Sequence, residues 1–498
     1  MMETLSAQII ALTSCILILS LFIRNKWMKY RKFYELAAKF EKPPGYSCYP
    51  IVGHAHHYAN LEDIITIATS FKTPYGVVFL GPRIFYFLND VDLFEDCLTS
   101  DKCLNKPYYM DMLKHAEGGL FLARGNTWKS QRKLLNPGFK QRILNFYAGK
   151  FAKHDERLLK QLDSKIGQVF DINILSKKLS FQKYFDCAFG LDFDAKSNEY
   201  LEALDDSVSL SIARVFSFVG SVDILNKITG NCKAYDKCMK TLTRITHEIV
   251  AERLKILHQK PKNNSIPEDN DCEELIFIDY ILQCINSEKY DESKLVPELI
   301  TFIFAGVDTC SSTFSYLCIC LSLYPEIQEK VYQEICQVVG DRPFHHSDYQ
   351  RLHYLHMVIK ETMRIFPTGP IIHREVSDDV KIGDYVFPKD SILHVNIINV
   401  HRSSKYYKDP LYFDPERFAP DSEDVKTRHR FAYIPFSGGK RNCIGERFGM
   451  LSLVSTVVTL MKKFRFETTY KSIEEIRLEQ RFTLNAVDGY PVKIYLRN

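Results

Sequence analysis

The chain has 498 residues, 46% of them hydrophobic and 25% charged, with a formal net charge of +4. That balance builds a folded body with no large disordered share, and the length alone admits about three domains. So weak a positive charge, without repeated dense Lys/Arg blocks, gives no ground for a nucleic-acid partner.

Thr4 to Ile23 carries no charge, and at about 1.5 Å rise per residue it predicts a helix that reaches the ~30 Å hydrocarbon thickness. Arg24, Lys26, Lys29, Arg31 and Lys32 follow at once while only Glu3 precedes, so residues 1–32 read as a signal anchor that leaves the body in the cytosol. A cleaved signal peptide fits less well, since the leading segment lacks positive charge and no A-x-A site closes the apolar run. Residues 33–53 read as a proline-rich hinge ending in KPPGYSCYPIVG (Lys42–Gly53), whose prolines cannot continue a helix, and residues 54–498 as the body.

Within the body, Tyr75–Leu88 (YGVVFLGPRIFYFL) predicts two strands around Gly81-Pro82, a hairpin. Most of the rest is helical in pattern. Val215–Leu225 (VFSFVGSVDIL) lies between two helical runs and reads equally as interhelical packing or as a segment dipping into a membrane. Pro261–Glu274 is a polar, turn-rich loop. No internal repeat is visible. The fourteen cysteines, from Cys15 to Cys443, show neither the spacing of a disulfide framework nor a paired C-x-x-C, which predicts reduced thiols.

Glu298–Leu323 (ELITFIFAGVDTCSSTFSYLCICLSL) is apolar almost all round, which predicts a buried helix. A second membrane span has the same length, but Asp308 at its centre, beside Gly306, argues for a soluble core. The AGVDT run places a carboxyl and a hydroxyl in a nearly dry setting where each needs a partner. Thr309 is expected to bond back to the Ala305 carbonyl, and Gly306 to let something small approach the backbone. Alone, this reads equally as a satisfied polar notch or an active site.

Phe436–Phe464 (FSGGKRNCIGERFGMLSLVSTVVTLMKKF) is a glycine-rich loop leading into a helix whose stripe of Phe448, Leu451, Val454, Val458 and Met461 faces a core. Cys443 then stands at or just before a helix N-terminus, where free N–H groups and the dipole favour thiolate, a good metal ligand. Gly438, Gly439 and Gly445 are expected to turn the backbone tightly and bring N–H groups close to the sulfur, and Arg441 to supply fixed charge for a carboxylate.

This loop resembles the haem-binding pattern F-x-x-G-x-R-x-C-x-G of the cytochrome P450 superfamily at Phe436, Gly439, Arg441, Cys443 and Gly445. Three further family motifs occur in the right order: W-x-x-x-R as Trp128 to Arg132, E-x-x-R as Glu361 to Arg364, and P-E-R-F as Pro415 to Phe418. AGVDT matches the family's oxygen-binding helix, and the resemblance covers the chain from about Pro43 onward. It implies a mainly α fold with a smaller β region, here preceded by one N-terminal transmembrane helix.

The resemblance also implies heme b, held non-covalently apart from ligation of its iron by the Cys443 thiolate, with Trp128, Arg132, Arg374 and Arg441 on the two propionates. A thiolate ligand pushes electron density toward bound oxygen and assists O–O cleavage. By themselves Glu361 and Arg364 read as an exposed helix pair; the family instead implies a buried cluster of both with Arg417. Asp308 and Thr309 are the implied proton-delivering pair, and Leu120, Phe302, Ala305, Ile371 and Leu484 the implied substrate-facing positions.

The activity implied is insertion of one oxygen atom from O2 into a hydrophobic small molecule (fatty acid, hydrocarbon, steroid or xenobiotic) at the endoplasmic reticulum membrane. Electrons come from an NADPH-dependent flavoprotein reductase, docked where Lys129, Lys133 and Lys440 form either a basic contact face or a merely solvated one. MVIKETMRIFP, RHRFAYIPFSGG and RNCIGERFGM most resemble the branch of fatty-acid ω-hydroxylases and many insect enzymes. The chain departs from that branch at Ala305, where many members carry a glutamate that can esterify the haem, and at Val307 and Cys310. Two other readings share the motifs: a haem-thiolate isomerase or dehydratase working without reductase, and a membrane-tethered haem- or ligand-binding protein. Asp308 and Thr309 favour the monooxygenase over the isomerase, which needs no proton relay.

Overall fold

The computed structural model describes residues 31–497 apart from 51, 60, 82, 114–116, 140, 192–196, 217–230 and 260–275, and, ahead of them, residues 17, 20, 21 and 24. Nearly all of the expected anchor helix Thr4–Ile23, the linker Pro261–Glu274 and nearly all of Val215–Leu225 lie outside the described residues.

Helices dominate the body and strands form a smaller part. The longer helices are α1 (Leu61–Ser70), α2 (Val91–Thr99), α3 (Gly125–Leu135), α4 (Gln141–Asp163), α5 (Ile172–Phe189), α6 (Ser197–Phe216), α7 (Asn231–Gln259), α8 (Phe277–Asn286), α9 (Leu295–Leu323), α10 (Pro325–Val338), α11 (His353–Ile365) and α12 (Glu446–Met461). The hairpin read from the alternating run is present: β1 (Tyr75–Leu80) pairs antiparallel with β2 (Arg83–Leu88), in register from Tyr75 opposite Leu88 to Leu80 opposite Arg83. Two later strands, β3 (Ile371–Glu375) and β4 (Ile392–Asn396), complete a four-stranded sheet in the order β1-β2-β4-β3. The β2–β4 contact is parallel, and β3 runs antiparallel to β4 with Arg374 opposite Leu393. A short hairpin, β5 (Leu478–Gln480) and β6 (Leu484–Ala486), reaches back to the helices.

The sheet carries aromatic and branched side chains on both faces, so both faces must be covered. Phe33, Leu36, Ala37 and Phe40 cover one with Tyr86, Val395 and Phe387; Ile64, Ile67, Ala68 and Phe71 cover the other with Val78, Phe85 and Phe87. The apolar α9 runs through the helical core against α5. Among the described residues, Glu292–Leu323 is the helical run long and apolar enough to cross a bilayer, and 78% of its apolar window is buried inside the fold. It is therefore a core helix, its sides covered by protein instead of lipid. Polar side chains in the helical core are paired: Lys183 of α5 meets Asp155 of α4 at 2.7 Å, and the Ser455 and Thr456 hydroxyls of α12 donate to the same carboxylate at 2.6 and 2.9 Å.

Glu361 and Arg364 are both 0% exposed, so they form no surface pair. Arg364 donates Nε and Nη2 to the two carboxylate oxygens at 2.7 Å each. Arg417 Nε lies 3.5 Å from Oε1. Two guanidiniums against one carboxylate leave net positive charge in the core, and it is met by carbonyls: His401 O accepts from Arg364 at 2.7 Å and Asp409 O from Arg417 at 3.2 Å. The Asp414 N–H, donating to Glu361 at 3.0 Å, ties the P-E-R-F turn to α11.

A second buried carboxylate secures α9. Glu298 Oε2 accepts the Leu120 N–H at 2.9 Å and the Tyr290 hydroxyl at 3.0 Å, fastening the 118–120 loop to the helix. Burial pushes its carboxyl up to about 7, and the two hydrogen bonds only partly offset this.

Removing Glu361 strands two buried guanidiniums, so Glu361→Ala is expected to lower unfolding free energy by about 3–5 kcal/mol, whereas Arg465→Ala, at a surface pair, stays within about 0.5 kcal/mol; urea titration compares them. Glu298 titrates higher in the fold than in the unfolded chain, so stability falls as pH rises from about 4.5 to about 7 and then levels. Glu298→Gln keeps an acceptor without the charge, and its urea midpoint relative to the native chain should rise between pH 5 and pH 8, by about 1–3 kcal/mol in free energy.

Candidate active site

The cysteine loop is built on steric grounds. Gly439 has φ +68, and a Cβ there would overlap the Leu98 carbonyl oxygen at the end of α2; only glycine fits. Gly438 is extended and Gly445, at φ −89, is unstrained, so the expected tight-turn role belongs to Gly439 and, at φ +64, to Ser437. Gly445 brings its N–H to the Cys443 sulfur, as expected of this loop. The Cys443 N–H donates to Phe436 O at 2.9 Å and closes the loop; α12 begins three residues on.

Cys443 keeps accessible surface, yet burial pushes its thiol up to about 11 against the Gly445 N–H and Arg132, which pull it down. The two facts agree if the sulfur faces a recess inside the protein. In the protein alone burial outweighs these two influences; a cation at the sulfur favours the thiolate.

Arg132, Arg374 and Arg441 converge beside this loop, and the structure adds Lys106 and Arg124. Burial and the charges of Arg374, Arg124 and Arg132 bring Arg441 down to about 9. Burial, then Arg374 and Arg441, hold Lys106 well below the ordinary lysine range. Among the described residues only Arg124 has a carboxylate partner, Asp111 at 3.1 Å. Buried charge of one sign calls for a polyanion, and the two propionates of a haem, with a sulfur in the adjoining recess, fit that demand. Sequence gave no signal for Lys106 within LNKPYY.

Each of these side chains also has partners within the protein. Arg132 gives Nη1 and Nη2 to Asn442 O and Oδ1 at 2.7 and 3.0 Å and Nε to Asn136 at 2.8 Å, so it grips the residue before Cys443. Arg441 donates to Leu104 O and, at 2.8 Å each, to Phe121 O and Ala123 O; Trp128 lies under its guanidinium, 5.2 Å from carbon to ring centre. Arg374 is buried on β3, with Nη1 on His373 O at 3.0 Å.

On α9 the Thr309 hydroxyl donates to Ala305 O at 2.6 Å. Asp308 Oδ2 accepts from Thr483 Oγ1 at 2.7 Å, and Oδ1 lies 3.6 Å from Lys177 Nζ. Gly306 serves packing: a Cβ there would overlap the Tyr184 ring, whose hydroxyl lies 3.1 Å from Cys310 Sγ.

Of the expected substrate-facing residues, Ala305 is half-buried beside Thr309, and Leu120 and Ile371 are buried. Phe302 and Leu484 belong to the core. Phe302 stacks on Phe277 at 4.6 Å and meets Tyr184 at 5.5 Å; Leu484 is fully buried, its carbonyl accepting from Ser312 at 2.9 Å. Phe304, Phe482 and Phe121 form an aromatic row, with ring centres 4.2 and 5.6 Å apart along it. Phe304 had a sequence signal, lying one helical turn before Asp308; Phe482 had none. On the face expected to meet a reductase, Lys440 and Lys129 share Asp101 at 2.9 and 3.7 Å, which partly neutralises them, and Lys133 is exposed.

Lys106→Met removes a desolvated cation and one charge facing the dianion. The haem-free protein should then unfold at higher urea, while the loaded protein gives up haem to excess apomyoglobin about tenfold faster or more.

A family model described as Cytochrome P450 matches residues 43–490. Cytochrome P450 4c21 of Blattella germanica is 29% identical, covering 93% of this chain and 94% of its own length. Cytochrome P450 4V2 of Homo sapiens is also 29% identical, covering 99% and 96%, and the probable cytochrome P450 313a4 of Drosophila melanogaster is 26% identical, covering 92% and 93%. The match spans the loop around Cys443, the buried Glu361 cluster and α9 together, and the chain belongs to the cytochrome P450 family of monooxygenases, which bind heme b through a cysteine thiolate.

Proposed function

We propose that this monooxygenase inserts one atom of O2 into a hydrophobic small molecule, with Cys443 as the axial ligand of the haem iron. The observation that carries this reading is the buried cation group of Lys106, Arg374 and Arg441, without a carboxylate among the described residues, beside a recessed cysteine. A haem bound there supplies the dioxygen chemistry, its iron made electron-rich by the thiolate.

The residues of the chain do the remaining work. The Gly445 N–H and the charge of Arg132 moderate the sulfur's electron donation, and Arg132 holds Asn442 so that the sulfur keeps its aim. Asp308 is the group that delivers protons to the oxygen site, through water, and Thr309 orders them. With its proton on Ala305 O, Thr309 turns its lone pairs outward to accept. Phe304, Phe482 and Phe121 exclude water and select apolar substrates: fatty acids, hydrocarbons, steroids or xenobiotics. Ala305 has no carboxyl to esterify a haem, so the cofactor is held without a covalent bond to α9. Thr4–Ile23 anchors the protein in the endoplasmic reticulum membrane with residues 54–498 on the cytosolic side, and an NADPH-dependent flavoprotein reductase supplies electrons on the Lys133 side.

The test is spectral and catalytic. The reduced protein under carbon monoxide should show the red-displaced Soret band of thiolate ligation, and Cys443→Ala should abolish it. Reconstituted with reductase in membranes, the native enzyme should consume NADPH and oxygenate members of a hydrophobic panel. A band that survives in Cys443→Ala, or turnover that ignores NADPH, overturns the assignment.

A further inference from the structure

Beside the cysteine loop lie two thiols for which the monooxygenase reaction has no use. Cys97 is on the last turn of α2, and Cys103 ends the short helical turn that follows, Asp101–Cys103. They stand six residues apart, 0% and 1% exposed, and the Cys97 thiol donates a hydrogen bond to the Cys103 sulfur. Arg374 of β3 faces both sulfurs. Lys102, itself 3.1 Å from Asp378, adds positive charge at Cys103, whereas Asp96 adds negative charge at Cys97. The two thiols therefore differ. The hydrogen bond from Cys97, then Ser100 and the two cations, bring Cys103 below the ordinary thiol value; that same bond, then burial, holds Cys97 well above it. Burial likewise raises Cys187 and Cys318 elsewhere in the core. A sulfur that ionises readily, touching one that keeps its proton, is the arrangement of an attacking and a resolving thiol. A single surface turn covers the pair: Thr99, Asp101 and Lys102 are exposed. That turn is held by the Cys103 N–H on Ser100 O at 3.3 Å and the Lys102 N–H on Ser100 Oγ at 3.2 Å, and its local opening admits a small oxidant.

We propose that Cys103 and Cys97 are a redox-modification site: hydrogen peroxide oxidises Cys103, Cys97 closes the disulfide, and the closed form holds haem less firmly. The Cys103 thiolate attacks one peroxide oxygen; the O–O bond breaks, an S–O bond forms, and hydroxide leaves and takes up the proton that Cys103 released. The Cys97 sulfur then attacks the sulfenic acid, forming the S–S bond as water departs with the Cys97 proton. Two thiols lose two electrons in all, and one peroxide becomes two waters. A dithiol reductant reverses the bond by exchange, and in a reducing compartment such pairs sense redox state more often than they brace a fold. Segment 98–104 carries two contacts to the cysteine loop: Leu98 O seats Gly439, and Leu104 O accepts from Arg441. The disulfide draws Cys97 and Cys103 closer than their hydrogen bond does, so both contacts shift, and Arg374 loses the ionisable sulfur it faces. The effect on haem rests on the reading of Arg374 and Arg441 as its seat; the oxidation does not.

The experiment treats full-length, haem-loaded protein with limiting hydrogen peroxide, caps free thiols with N-ethylmaleimide and cuts the chain with trypsin. Trypsin cleaves after Lys102, between the two cysteines, so mass spectrometry should find two peptides that separate only after dithiothreitol. Cys97→Ser and Cys103→Ser, each first shown to give the thiolate carbon monoxide band, fix the order: dimedone should label Cys103 in Cys97→Ser and leave Cys97 unlabelled in Cys103→Ser. The oxidised native protein should pass haem to excess apomyoglobin about tenfold faster. Dithiothreitol should reverse this, and Cys103→Ser should show no reversible change. Absence of the joined peptides overturns the site, and dimedone on Cys97 overturns the order of attack. Joined peptides with unchanged haem transfer overturn the effect on haem. If the native protein gives no thiolate band, the haem reading has failed, and the joined peptides still judge the dithiol.

Discussion

Positive charge gathered where water is scarce is the constraint around which this molecule is organised. Lys106, Arg374 and Arg441 arrive from three distant parts of the chain, and each is desolvated by burial, with Arg374 opposing the charge of the other two. Such a group is held only because the surrounding fold is already rigid: β4 pairs β3 in register around Arg374, and Arg441 is anchored by carbonyls of the 104–123 segment. The protein thereby carries a standing preference for a doubly anionic, planar ligand. The same grip explains why the cysteine loop is so short of freedom, since Arg132 and Leu98 fix it from opposite sides.

The distal side obeys the opposite rule. There the long apolar helix α9 brings a single carboxylate, Asp308, into a setting lined by Phe304 and Phe482, and each of its two oxygens meets a polar group from another element. Buried positive charge gathers beside the cysteine loop, whereas the middle of α9, packed against α5, carries one acid. Near Asp308, Tyr184 packs into the notch left by Gly306 and reaches Cys310, so even the departures from the related ω-hydroxylase branch are absorbed in packing.

Features carried by neighbours in sequence were legible. The hairpin at 75–88 follows from alternation around a Gly-Pro turn, the core helix from apolarity on every side with one central acid, and the Thr309 back-bond from a hydroxyl four residues after a carbonyl. Features made by distant segments were not. Glu361 and Arg364 three apart look like any exposed pair until Arg417 and Tyr407 close over them. Lys106, Lys177 and Thr483 stand in unremarkable local sequence, and only the fold brings them to their partners. Phe302, a candidate taken from the family resemblance, packs on Phe277 and Phe448, contacts that its local sequence does not reveal. The glycines of the cysteine loop were legible, Gly439 through its backbone and Gly445 through its donor, whereas Gly306 is required by an aromatic neighbour that the local sequence does not reveal.

The seat of Gly439 on the Leu98 carbonyl joins points some three hundred and forty residues apart in a chain of 498. During synthesis the α2 segment must therefore wait for more than three hundred further residues before its mate exists. The cleft cannot assemble progressively along the chain, and haem capture waits for the late-made cysteine loop, competing with whatever chaperones and proteases first meet the earlier segments.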